Sequence, residues 1–137
     1  MKAISIRQPW AQAIFVSGKD IENRSWPTSV RGMIAIHAAK TADDDEYFRF
    51  ILSRQLSNVN KLDRGAAARL PKGAIIGVVE LIDCVTASGS FWFEGPYGFV
   101  LSNPKLISPI PLRGTVQFFD VSSDVKLQIN GQLNALE

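Results

Sequence analysis

Residues 74–85 read Ala-Ile-Ile-Gly-Val-Val-Glu-Leu-Ile-Asp-Cys-Val, the most apolar and β-branched run in the chain, interrupted by Gly77, Glu80 and Asp83. Such a run predicts a long central strand, bent where Gly77 brings no side chain to pack. The other segments are expected to arrange themselves around it. Residues 3–7 alternate Ile4 and Ile6 with Ser5 and Arg7, the pattern of a half-buried strand. Residues 33–40 set Ile34 and Ile36 on one face and Met33, Ala35 and His37 on the other. Further strands are expected over 21–26, 99–101 and 114–119, and the stretch from Pro104 to Pro111 restricts a strand there to a sheet edge. Between them lie three helical signals. Pro9 opens a short helix with Trp10, Ala13, Ile14 and Ser17 on one side and Gly18 at its close. Thr41 and Asp44 resemble a helix N-terminal box. The acids Asp43 to Glu46 suit the positive end of a helix carrying Tyr47, Phe48, Phe50, Ile51, Leu52 and Leu56 to about Ser57. Ser122 or Ser123 can cap a final helix that Asn130-Gly131 breaks. The sum is a mainly β, α+β domain of about six strands and about three helices.

A chain of 137 residues is one domain's worth, long enough for one hydrophobic core, and 1–137 is read as a single domain. With no apolar run near the ~20 residues of a membrane span, a membrane partner is not expected. The N-terminus lacks a stretch of signal-peptide length, so a cytoplasmic address is the default. Cys84 stands alone, which excludes an internal disulfide and a cysteine zinc cluster. One histidine and one cysteine argue against a metal site, and no cofactor is expected.

The net charge of +2 says little about partners, but the charges are unevenly spread. Residues 1–40 hold six bases against two acids and residues 49–72 six against one, whereas residues 73–137 hold three against six. A basic N-terminal half with aromatic side chains among its charges favours an anionic ligand. For residues 49–72 a solvated mixed surface is the plainer reading.

Gly18-Lys19-Asp20-Ile21-Glu22-Asn23-Arg24-Ser25-Trp26 is polar where a packing strand would be apolar. Extended, residues 21–26 put Glu22, Arg24 and Trp26 on one side and Ile21, Asn23 and Ser25 on the other, with Lys19 reaching the first side from the turn. This is expected to be the floor of a binding cleft. Arg7 and Gln8, beside the first helix, are candidates for ligand contact as much as for a local polar role, and Trp10 is read as a packing anchor. His37, followed by Lys40 at a strand end, is a candidate against the usual structural role of a lone histidine. Glu80 needs either solvent or a base, and Arg31 or Arg24 can supply one. The loop Ser88–Gly98 carries Phe91, Trp92, Phe93 and Tyr97. Its aromatics either cap the barrel or stack on a base, with Trp92 and Tyr97 the candidates for stacking.

Four pieces in order resemble an ASCH domain, the activating-signal-cointegrator homology family. They are Ser5-Ile6-Arg7-Gln8-Pro9-Trp10, the Gly18-Lys19-x-x-Glu22-x-Arg24 run with Trp26, Arg31-Gly32 leading to Ile36-His37-Ala38-Ala39-Lys40, and Gly73-Ala74-Ile75-Ile76-Gly77. The resemblance spans residues 3 to about 119, leaving 120–137 as a helical tail. It implies a PUA-like fold, a small mixed β-barrel with peripheral helices and a cleft lined by Lys19, Glu22 and Arg24. It also implies binding of RNA, another nucleic acid or a modified nucleotide.

The residues support that partner independently. Arg7, Lys19, Arg24, Arg31 and Lys40 can neutralise phosphates. Trp26, Trp92 and Tyr97 offer faces on which an unpaired base stacks for ~1–3 kcal/mol each. Glu22 can accept from an exocyclic amine or pair with Arg24. Single strands or flipped nucleotides suit such a site better than intact duplex. A hydrolase is the competing reading. Some proteins of the family remove the acyl group from N4-acylated cytidine, with a lysine, a threonine and a glutamate, and others are linked to ribonuclease activity. Lys19 matches that lysine, whereas Glu22 stands in the threonine's place and the other glutamate has no counterpart. Catalysis would then rest on Lys19 and Glu22, with Glu22 as base on water and Lys19 or Arg24 at the oxyanion; for ribonuclease chemistry a lysine, His37 and a tyrosine would suffice. A third reading is a protein-interaction module built on the aromatic loop and the 42–57 helix.

Overall fold

The apolar run forms β4 (Ala74–Val85), and the sheet is registered on it. The computed structural model describes residues 1–54 and 65–136. In it β4 lies between β3 (Gly32–Ala38) and β5 (Tyr97–Pro111), antiparallel to both. β1 (Lys2–Ile6) runs parallel to β3, and β6 (Phe118–Asp120) closes that side against β1. β2 (Ile21–Arg24) pairs antiparallel with the first four residues of β5 at the other side. Among the described residues the order β2-β5-β4-β3-β1-β6 makes one six-stranded sheet curled into a half-barrel. Three α-helices among the described residues surround it: α1 (Trp10–Val16), α2 (Asp44–Ser53) and α3 (Ser123–Ala135), with a 3₁₀ turn at Ala66–Ala68. No helix among the described residues is long and apolar enough to cross a membrane.

β4 slips register against both neighbours beside the predicted glycine. A Cβ on Gly77 would stand 2.5 Å from the Phe15 ring and 2.6 Å from the Lys105 carbonyl oxygen. The gap lets α1 approach the concave face, where Ile14 and Ala11 meet Ile4, Ile6, Ile34, Ile36 and Val79.

The sheet is covered on both faces, and β1 is therefore more than half buried. Ala3, Ala35, Ile75 and Val78 pack on the opposite side with Val125 and Ile129 of α3. A third cluster joins Ile21 and Ala13 to Tyr47, Phe50 and Ile51 of α2 and to Trp92.

Several boundaries differ from expectation. Residues 99–111 belong to one strand rather than two. Because β2 pairs only as far as Val100, Pro104, Pro109 and Pro111 fall in the part of β5 with a neighbour on one side alone. The last strand is only Phe118–Asp120, since residues 112–117 form a loop. α2 starts at Asp44 with Asp43 before it and no side-chain cap, so the Thr41 box does not form; the first-turn acids Asp44, Asp45 and Glu46 do face the positive helix end. Leu56 and Ser57, expected at the end of that helix, lie outside the described residues. α3 is capped by Ser122, whose side chain accepts from the Val125 amide, but it runs through Asn130-Gly131. Gln132 holds it there, accepting from the Ser108 amide at 2.6 Å and donating to the Ser108 carbonyl at 3.1 Å. Glu80 takes neither expected partner: Arg31 reaches Asp83 at 3.8 Å and Arg24 reaches Glu22 at 3.0 Å.

Candidate functional site

A positive φ of 69° at Gly18 turns the chain after α1, and the Lys19 amide comes back to the Ala13 carbonyl. The Lys19 side chain is thereby laid under the helix and is 2% exposed. Its Nζ donates to Glu22 Oε1 at 2.7 Å. Arg24, two residues along β2 and so on the same face, donates through Nε to Glu22 Oε2 at 3.0 Å and through its terminal nitrogen to the Ser5 carbonyl at 2.8 Å. Both carboxylate oxygens are engaged, and both cations are fixed. Burial pushes the Glu22 carboxyl up, but the charges and hydrogen bonds of Lys19 and Arg24 outweigh it and hold the pKa below its ordinary 4.5. Glu22 is an anion at neutral pH.

Two indoles flank this triad. Lys19 Nζ lies 5.8 Å from the Trp10 ring centre and the Arg24 guanidinium 5.8 Å from that of Trp26, both within cation–π range. Trp10 is braced edge-on by Tyr47 and Phe50, and Trp26 by Phe99 and Phe118. Both remain half-buried and line an open cleft of about 1620 Å³.

The rim is built by backbone. The Ala39 amide donates to Ile6, Gly73 to Ala38 and Leu112 to Gly73, at 2.9, 2.8 and 3.0 Å. These bonds align the ends of β1 and β3 with the loop after β5, and bring Arg7, Lys40 and Arg113 to the same cleft. All three are exposed and, among the described residues, make no ion pair. α2 adds Arg49 and Glu46 to the lining, and the aromatic loop adds Glu94. The Glu46 carboxyl is held above its ordinary range by hydrogen bonding to Asp43 and by that residue's charge. Among the described residues, six bases face three acids in the cleft. Its balance is cationic although the whole chain is nearly neutral.

The sequence of this chain matches the profile of the ASCH domain over residues 4–96, which covers β1 to β4 and the entire triad. The chain belongs to the ASCH domain family. Human "Activating signal cointegrator 1" is 28% identical over 89% of this chain, and its mouse counterpart 25% identical over 89%. The chain spans 22% of the length of those curated relatives. The crystal structure of an ASCH protein from Zymomonas mobilis superposes with a TM-score of 0.57, at 16% identity, over 95% of this chain and 93% of that one. The fold is therefore shared with a solved ASCH structure.

Of the residues singled out from the sequence, Arg7, Lys19, Glu22, Arg24, Trp26, His37 and Lys40 line the ASCH cleft. Four others do not. Gln8 is fully buried; its Oε1 accepts from the Gln12 amide at 2.9 Å and its Nε2 donates to the Pro71 carbonyl at 3.0 Å, a strut between α1 and the chain before β4. Arg31 lies outside the cleft, donating to the Thr28 and Val30 carbonyls at 3.0 and 2.8 Å. Trp92 is 3% exposed, stacked on Phe50 and met edge-on by Phe91, so its ring faces are packed against protein. Tyr97 packs against the concave core opposite Arg24 in the β2–β5 register. The aromatic loop is drawn inward by Asn23, which donates to the Trp92 carbonyl at 2.9 Å and accepts from the Glu94 and Gly95 amides at 2.8 and 3.0 Å. Sequence reasoning missed Trp10, Arg49 and Arg113 as lining groups. The Arg113-Gly114 pair after the proline-rich edge was the one available signal for the last, a base beside a turn residue.

Proposed function

We propose that the ASCH cleft binds single-stranded RNA or another single-stranded nucleic acid. In this reading the phosphates lie along Arg7, Lys40 and Arg113, and an unpaired base lies against the Trp10–Trp26 pair over the triad. The observation that carries the reading is the convergence of exposed cations and half-buried indoles on one open concavity. Stacking on an aromatic face requires an exposed base, which favours single strands over duplex. Glu22 points the same way: its lowered pKa and its two cationic partners make it a weak base, supporting recognition rather than bond cleavage.

Titration of tryptophan fluorescence with short oligouridylate tests this. Quenching is expected, reduced in Trp26→Phe and Trp10→Phe and retained in Trp92→Phe, because only the first two line the cleft. Affinity of about 10⁻⁴–10⁻⁶ M at physiological salt fits a mainly electrostatic contact. Equal or tighter binding of duplex, or no binding of either form at low salt, contradicts the reading.

A further inference from the structure

His37 is the single histidine of the chain, is 3% exposed, and reaches the cleft from β3. Both ring nitrogens are occupied. Nε2 lies 2.6 Å from the Leu112 carbonyl oxygen and Nδ1 2.8 Å from Ser5 Oγ. A carbonyl oxygen only accepts, so Nε2 carries the hydrogen; in the neutral ring Nδ1 is then the acceptor, and the Ser5 hydroxyl donates to it. The ring joins β1 to the first residue of the Leu112–Gln117 loop, all of whose residues line the cleft. The loop backbone rests on this pair. A Cβ at Gly114 would collide with Ser5 Oγ and stand 2.5 Å from the His37 ring. The His37 ring also meets Phe119 edge-on at 5.7 Å, on the far side of the loop in sequence.

We propose that His37 is a positioning residue: donating from Nε2 to the Leu112 carbonyl and held at Nδ1 by Ser5, it latches the Leu112–Gln117 loop against the sheet and so sets Arg113 on the cleft rim as a phosphate contact. This rests on the nucleic-acid reading for the role of Arg113, but not for the latch itself. The ligand then meets Arg113, and His37 acts one bond behind it.

Two measurements on the full chain decide it. The first needs no ligand: long-range ¹⁵N–¹H correlation of the imidazole is expected to show a hydrogen on Nε2, and amide exchange over residues 112–117 is expected to quicken in His37→Asn. A ring whose Nε2 carries no hydrogen, or unchanged exchange in that variant, overturns the latch. The second compares variants with labelled oligouridylate across salt. Gln reaches as far as Nε2 and can still donate to Leu112, whereas Asn cannot reach it. His37→Gln is therefore expected to keep the wild-type salt slope, and His37→Asn to lose about 0.7 from it, as Arg113→Ala does. The double variant His37→Asn/Arg113→Ala is expected to lose no more than either alone. Additive losses, or no loss on Arg113→Ala, overturn the positioning role while nucleic-acid binding stands. Absence of binding by the unaltered chain instead removes the nucleic-acid reading, and with it the role of Arg113, while the Nε2 hydrogen and exchange still decide the latch.

Discussion

At the residue scale the account turns on Glu22. Its carboxylate is shared between Lys19 and Arg24, and Lys19 is almost wholly out of water. Glu22→Gln removes the anion and strands a buried ammonium, which is expected to cost about 3 kcal/mol of stability by urea denaturation at neutral pH. Lys19→Met removes the buried cation instead and leaves Glu22 with Arg24, so its cost is expected to be smaller. The acid dependence follows from the lowered pKa: the stabilisation from Glu22 is complete above the ordinary 4.5 and is lost as pH falls through the lower folded-state value. The gap between wild type and Glu22→Gln is therefore expected to narrow in acid, and a gap that widens there would contradict the ion-pair account. The triad was legible because its spacing is local: residues 22 and 24 share a strand face whatever lies around them. Gln8 and Trp92 were not. Their fate is set by Pro71 and Phe50, partners far along the chain.

Among the elements, those read correctly carry a period, and those misread end where a distant contact decides. The glycine in the β-branched run was visible, but the Phe15 ring packed over it was not. Gly77→Ala forces a methyl onto that ring and the Lys105 carbonyl, and is expected to cost about 1–3 kcal/mol. α3 gives the opposite case. Asn130-Gly131 is a stop signal by local propensity, yet the buried Ile129 and the Gln132–Ser108 bonds carry the helix past it. Gly131 has open space around it, so Gly131→Ala is expected to stabilise the chain by about 1 kcal/mol, read as a higher urea midpoint. Ser122→Ala removes the cap of the same helix and is expected to cost about 1 kcal/mol. A destabilised Gly131→Ala would mean the helix does not continue as described. The 112–117 loop had no period at all. Its first residue is held by Gly73 and His37, and the strand expected there shrank to Phe118–Asp120.

For the molecule as a whole, the α+β class, the six strands and the three helices follow from alternation and punctuation in the sequence, and the half-barrel from the way those strands pair. The cleft is a property of no single segment. It needs the ends of β1 and β3, β2 with the residues flanking it, α2 and the loop after β5 in one place, and hence the Arg7, Lys40 and Arg113 rim emerges only from the register. A chain of net charge +2 with such a rim should bind a polyanion weakly and with strong salt dependence. The most direct test is the affinity for a short single-stranded oligouridylate across a range of salt concentrations. Three phosphate contacts predict a log–log slope of about −2, falling toward zero in the combined Arg7→Ala, Lys40→Ala and Arg113→Ala variant. A slope near zero in the unaltered chain, or one the combined variant leaves unchanged, would contradict the proposed role of the cleft.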